Sequence, residues 1–130
     1  MSLHQASSCG DVHAVERLLK TMHPDVRLSS GSTPLLFAVL DNQEQIVKIL
    51  LEAGANPCIQ GLNKMTPLHL AADRGYTRMV QMLVETNKIP TSRDIGGRTP
   101  EECAAQNGNF REMNIIVSAK TKSSVYKFKE

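Results

Sequence analysis

Tryptophan is absent from the 130 residues, and three phenylalanines and two tyrosines are the whole aromatic complement. That leaves no evident aromatic-rich surface. Cysteine is scarce as well. Cys9, Cys58 and Cys103 are odd in number and show no Cys-x-x-Cys spacing, which argues against both a disulfide framework and a zinc site. A reducing intracellular setting, cytosolic or nuclear, is the expectation. An excess of charge of one sign is missing too: 15 basic and 13 acidic residues leave +2, too close to neutral for a bulk polyanion binder. The longest uninterrupted apolar run, Leu35–Leu40, is six residues, far short of the roughly 20 that span a bilayer. No signal-peptide pattern opens the sequence, and no Asn-x-Ser/Thr sequon occurs.

What the chain does have is a period. Thr-Pro-Leu-x-x-Ala stands at Thr33–Ala38 and again at Thr66–Ala71, and a degenerate copy follows at Thr99–Ala104, each 33 residues after the last. A fixed period of that length marks stacked repeats, in which one supersecondary unit cannot bury its apolar face alone. Each Pro suits the first turn of a short helix, with the Thr before it as cap. The small Ala38, Ala71 and Ala104 let a neighbouring helix approach closely. Four residues beyond each comes a residue that tolerates the left-handed conformation, Asn42, Gly75 or Gly108, and this reads as a stop.

A second helix follows each stop. Val47, Leu50 and Leu51, then Val80, Leu83 and Val84, then Met113, Ile116 and Val117 make one apolar stripe per helix at i, i+3, i+4. Polar connections of about a dozen residues, such as Gly54–Met65 and Asn87–Arg98, lead to the next Thr-Pro. Upstream, Ala6, Gly10, Val15, Leu18 and Leu19 repeat the same grammar at an offset of 32, so four helix pairs are expected.

The segments Thr66-Pro-Leu-His-Leu-Ala-Ala72, Gly75 and Val80–Val84 make the chain resemble the ankyrin-repeat family. Leu50-Leu-Glu-Ala-Gly-Ala-Asn56 is similar to the opening of that family's loop, and Asp94 with Gly97 to its hairpin signature. The resemblance covers residues 3–118. It implies an all-α solenoid of about four helix-turn-helix units joined by β-hairpin-like loops, which binds through loop tips and the concave face of the first helices. The expected repeat domain is 1–119, with units near 3–22, 23–54, 55–87 and 88–119, followed by a basic tail at 120–130. Three departures stand out. Glu101 and Glu102 replace Leu and His in the last copy, as expected of a polar cap. Gly61 and Lys64 replace the Asp and Gly of the second full loop, so a less regular hairpin is expected there. The first unit begins at Leu3 without a loop of its own, which suits a minimal cap or a segment of a longer array; a segment is expected.

Candidate chemistry is thin. The resemblance gives His69 the role of a fastener hydrogen-bonded between units. His4, His13 and His23 show no ligand spacing, so no metal is expected, and no cofactor either. Cys103 aligns with Leu70 and Phe37 and is expected to be buried and inert, whereas Cys58 lies in a loop. No nucleophile, base and orienting group form a set, so no enzyme is expected.

The positions the repeat leaves free are the more useful ones. Loop tips fall at Ser29, Ser30 and Ser32, at Leu62, Asn63 and Met65, and at Ile95, Gly96 and Arg98. Positions just before the stops are Leu40 and Asp41, Asp73 and Arg74, and Gln106 and Asn107. Leu62, Met65 and Ile95 are apolar where tips are usually polar. With Leu40 they are expected to join into a strip flanked by Asp73, Arg74 and Arg98, the anchor-and-rim layout of a protein interface. The expected function is therefore protein–protein interaction by a chain that is monomeric alone or part of a larger one. Leu62, Met65 and Ile95 act as anchors in this reading, and Arg74 and Arg98 select acidic groups. The alternative is a regulatory module binding nucleic acid or an acidic membrane surface through Lys120, Lys122, Lys127 and Lys129, which interleave with Val125, Tyr126 and Phe128. Their alternation over Ser124–Glu130 also suits a short strand or a solvated end.

Overall fold

A computed structural model describes the backbone of residues 2–128 and the side chains as far as Thr121. Among the described residues the regular structure is helical: α1 (Leu3–Cys9), α2 (Val12–Leu19), α3 (Pro34–Leu40), α4 (Glu44–Glu52), α5 (Pro67–Arg74), α6 (Thr77–Val84), α7 (Pro100–Gln106) and α8 (Phe110–Phe128). The caps explain the starts. The hydroxyls of Thr33, Thr66 and Thr99 accept from the backbone N–H groups of Leu36, His69 and Glu102, and a proline follows each threonine in the first turn. The stops explain the ends. Gly10, Asn42, Gly75 and Gly108 all take left-handed φ values, of 77°, 54°, 69° and 73°. The next residue's N–H then returns to the carbonyl of Ala6, Ala38, Ala71 or Ala104, which closes the helix end.

The odd-numbered helices stack into one layer, α1 on α3, α3 on α5 and α5 on α7. Ala6, Ala38, Ala71 and Ala104 are fully buried between them, as close approach requires. The even-numbered helices form the outer layer. Its stripe lies one residue further toward the N-terminus of each helix than expected. Ile46 and Met79 are buried beside Val47, Leu50, Val80 and Leu83, while Leu51 and Val84 are only half-buried. In the last pair Ile116 is buried but Val117 is 44% exposed. Glu112 takes the place of Ile46 and Met79 there, and its carboxylate accepts the Thr77 hydroxyl proton.

The loops close like hairpin tips at one register: Leu28 N–H donates to the Ser32 carbonyl, Gly61 to Met65 and Asp94 to Arg98. Ser32 is buried rather than a free tip. The second loop does differ, as its Gly61 and Lys64 suggested. It tightens into a 3₁₀ turn over Leu62–Lys64, with Asn63 and Lys64 at φ 58° and 57°. Gly31 and Gly97 hold the position equivalent to Lys64 in the other two loops. The last helix, too, departs from expectation. It continues to Phe128, so the alternation after Ser124 is not a strand as far as that residue. The interleaving of Lys122, Lys127 and Lys129 with Val125, Tyr126 and Phe128 lies outside the described side chains.

Candidate functional site

Three junctions join the four helix pairs, and two of them carry the same polar fastener. At the first, His4 Nε2 donates to the Ser32 carbonyl (3.1 Å); at the third, His69 Nε2 donates to the Arg98 carbonyl (2.9 Å). A carbonyl can only accept, so in both rings Nε2 carries the proton. Nδ1 of His69 then accepts from the Thr66 N–H (3.2 Å) and hydroxyl (2.8 Å), which completes its hydrogen bonding. Burial lowers the His69 pKa below its ordinary value, against the opposing pull of the Arg98 carbonyl and Asp94. The ring is held neutral, as a fastener needs. His4 was not singled out from sequence as a partner to His69, although the offsets of 32 and 33 place the two at one repeat position.

The middle junction lacks that device. Leu36 stands at the histidine position, and the Met65 carbonyl, equivalent to those of Ser32 and Arg98, takes only the Gly61 N–H of its own loop. Gly61 in turn stands where the third loop has Asp94. A Cβ on Gly61 would lie 2.5 Å from Cδ2 of Leu36, so the leucine leans into the space an aspartate would fill. The outcome is a cavity of about 290 Å³ between α3, α5 and the second loop. Leu36, Phe37 and Leu40 of α3, Leu62, Asn63 and Met65 of the loop, and Leu70, Asp73 and Arg74 of α5 all line it.

Six of the nine residues singled out from sequence therefore meet in one hollow: Leu40, Leu62, Asn63, Met65, Asp73 and Arg74. Leu62 is 60% exposed and Leu40 36%, while Met65 is half-buried and packs against the core. Ile95, 72% exposed, sits on the adjoining tip, and its backbone N–H donates to the Asn63 carbonyl (2.9 Å). Asp41 lies outside the hollow and accepts from the Ser8 hydroxyl.

Arg98 does not stand free as a selector of acidic groups. Its Nε and Nη2 both donate to Asp94 Oδ2 (3.1 and 2.9 Å), and Nη1 donates to Gln106 Oε1 (2.6 Å) and lies 3.9 Å from Asp73 Oδ1. The reason is Asp94, a buried carboxylate that gathers the third loop. It also accepts from the backbone N–H groups of Gly96 and Arg98. Burial works against its ionisation, yet the backbone and side-chain hydrogen bonds from Arg98 together hold its pKa below the usual carboxylate value. Asp73 is partly committed as well, through the Asn107 amide (2.6 Å). Arg74 is exposed and has no ion pair or hydrogen-bond partner among the described residues.

The remaining chemistry is quiet. Cys103 is fully buried, and desolvation pushes its thiol up to about 12, so it is an inert core group. Burial also raises Cys58, whose Sγ contacts the Lys88 carbonyl. Lys120 pairs with Glu101 across α7 and α8 (2.6 Å), which removes one cation from the basic tail. Among the described residues no helix is long and apolar enough to cross a membrane, and no three potential metal ligands converge. A second polar ladder went unnoticed in the sequence. Arg27 reaches the Gln60 carbonyl and the Gln60 amide reaches the Arg93 carbonyl, both at 2.9 Å, through positions 33 residues apart. Their different side chains hid the periodicity.

Compared with models of protein families, residues 35–84 match the one described as ankyrin repeats (many copies). The matched stretch runs from the start of α3 to the end of α6, and so frames the hollow.

Proposed function

We propose, from the premise that this chain belongs to the ankyrin-repeat family, that it is a non-catalytic module whose second and third units hold a partner protein. Ankyrin repeats generally mediate protein–protein interaction and are typically non-catalytic. One observation supports this particular face above others. The hollow between α3 and α5 is apolar at its floor and carries exposed Leu62 at its lip, with exposed Ile95 on the linked tip. Aliphatic side chains held out on a rigid scaffold anchor a partner at low entropic cost, and the polar groups around them set register. The neutral, fully bonded His69 and the protonated Cys103 serve packing in this reading. The three free cysteines suit a reducing compartment inside the cell.

The test is affinity capture from cell lysate with wild type and with the double variant Leu62→Ser, Ile95→Asp run in parallel. Both side chains are exposed, so melts of the two proteins should agree. Met65 is left intact because it packs against the core. A partner held by wild type should bind the double variant about 30-fold more weakly, the loss of one strong anchor. Equal binding to both would move the contact surface elsewhere, to the backs of the outer helices.

A further inference from the structure

We infer that the hollow at the middle junction takes a peptide segment of the partner protein in which an aliphatic side chain lies close to a carboxylate, and that Arg74 pairs with that carboxylate. The inference rests on the reading of this face as a protein-binding surface and names the chemistry of what it binds.

The aliphatic half follows from how the hollow arises. Two junctions carry a histidine fastener, and at the one that lacks it a hollow opens. The two replacements act together. Leu36 brings hydrocarbon where a ring nitrogen would reach across, and Gly61 withdraws the carboxylate that would have gathered the loop. The floor is then made by Leu36, Phe37, Met65 and Leu70, and it offers a ligand side chain dispersion contacts with few hydrogen-bonding demands. At about 290 Å³ the space falls at the bottom of the range for small-molecule sites and suits one or two side chains of a peptide. Met65, unbranched and polarizable, can adapt its thioether to either.

The acidic half follows from which rim charge is uncommitted. Asp73 accepts from Asn107 and lies 3.9 Å from Arg98, so it is partly committed. Arg74 is the cation left facing solvent at the rim without a partner among the described residues. A guanidinium offers paired donors that match a carboxylate, and pairing beside an apolar floor is less weakened by water than on an open surface. A phosphate backbone would need several such cations in a row, and one arginine beside hydrocarbon does not provide them.

The experiment is selection of a random linear peptide library displayed on phage against three immobilised proteins: wild type, Arg74→Glu, and the double variant Leu36→His, Gly61→Asp. The double variant restores at the middle junction the side chains that stand at the equivalent positions beside the third junction. Peptides enriched on wild type should share an aliphatic residue with Asp or Glu close to it. On Arg74→Glu that acidic position should change to Lys or Arg, and the wild-type peptides should lose at least 10-fold in affinity. The double variant should lose them at least 30-fold, in a protein whose melt shows it to be folded.

Enriched peptides without the acidic residue, or indifferent to Arg74→Glu, would overturn the inference. No enrichment over bare matrix would overturn it as well. If the double variant fails to fold, the charge swap at exposed Arg74 still decides. The interaction reading stands or falls separately, on the capture with Leu62→Ser, Ile95→Asp. A partner lost by that variant but bound equally by wild type and Arg74→Glu would sink the peptide chemistry alone.

Discussion

Leu50→Ala is expected to destabilise the stack by about 3 kcal/mol and lower its melting temperature by roughly 10–15 °C. Leu50 is fully buried in α4, the outer helix of the second pair, which packs against α3 beneath it and against α2 and α6 on either side. Truncation removes three carbons' worth of burial and leaves a void that three neighbouring helices would have to collapse to fill. In a repeat stack stability is the sum of unit terms and nearest-neighbour interfaces, so damage in a central unit weakens two interfaces at once. The paired control is Leu51→Ala, on the half-buried flank of the same helix, where about 1 kcal/mol is expected. A Leu50→Ala melt within about 3 °C of wild type would contradict the register assigned to α4.

His69→Ala should have a comparable effect, about 3 kcal/mol, and should also change how stability depends on pH. The ring is fully buried, and its loss leaves the Arg98 carbonyl without its inter-unit donor and the Thr66 N–H without its acceptor. The pH dependence has a definite sign. The folded-state pKa lies below the ordinary value of 6.5, chiefly because burial penalises the charged ring. The unfolded chain therefore binds a proton more readily than the folded one as pH falls below 6.5. The stability held by neutral His69 is full above that value, declines as pH drops through the window beneath it, and levels off below the folded pKa. Asp94, Glu101 and Glu102 also have lowered pKa values, but they act in a different range. Their contribution is present above the ordinary carboxylate pKa, near 4, and is lost as pH falls below it. Urea midpoints at pH 7.5 and pH 5 should differ more for wild type than for His69→Ala. Equal differences would mean that the ring does not carry this dependence.

Much of the scaffold was legible because its signals are local. A threonine cap before a proline, an alanine one turn on and a left-handed stop four residues later define a helix without reference to anything distant. All four stops took the conformation expected of them. The outer stripe was legible only to within one residue. The i, i+3, i+4 pattern marks an apolar face, and Ile46 and Met79 rather than Leu51 and Val84 turn fully inward because of where the neighbouring unit lies. The end of α8 was not legible, since the run Ser124–Glu130, with Lys127 and Lys129 about Phe128, fits a strand as well as a helix.

The candidate site divides in the same way. Leu40, Leu62, Met65, Asp73 and Arg74 could be grouped from sequence because a fixed period sets equivalent tips side by side. The hollow itself could not be read that way. It depends on Leu36 and Gly61, two departures 25 residues apart in sequence whose side chains matter only once they meet. As a loop-tip residue Arg98 is expected to face outward, yet at the equivalent positions Ser32 is buried and Met65 half-buried. Asp94, four residues earlier, turns the Arg98 guanidinium back onto its own loop. Place in the repeat alone does not fix exposure; a residue's neighbours decide whether it is covered and whether its charge remains available.

The most direct test of the account is hydrogen–deuterium exchange on the whole chain, free and with the protein captured by wild type. Binding at the middle junction predicts slowed exchange in Pro34–Leu40, Pro67–Arg74 and the Gly61–Met65 turn, with Glu44–Glu52 and Thr77–Val84 unchanged on their outer side. Protection concentrated in those two outer helices, with the turn and inner helices unaltered, would contradict it.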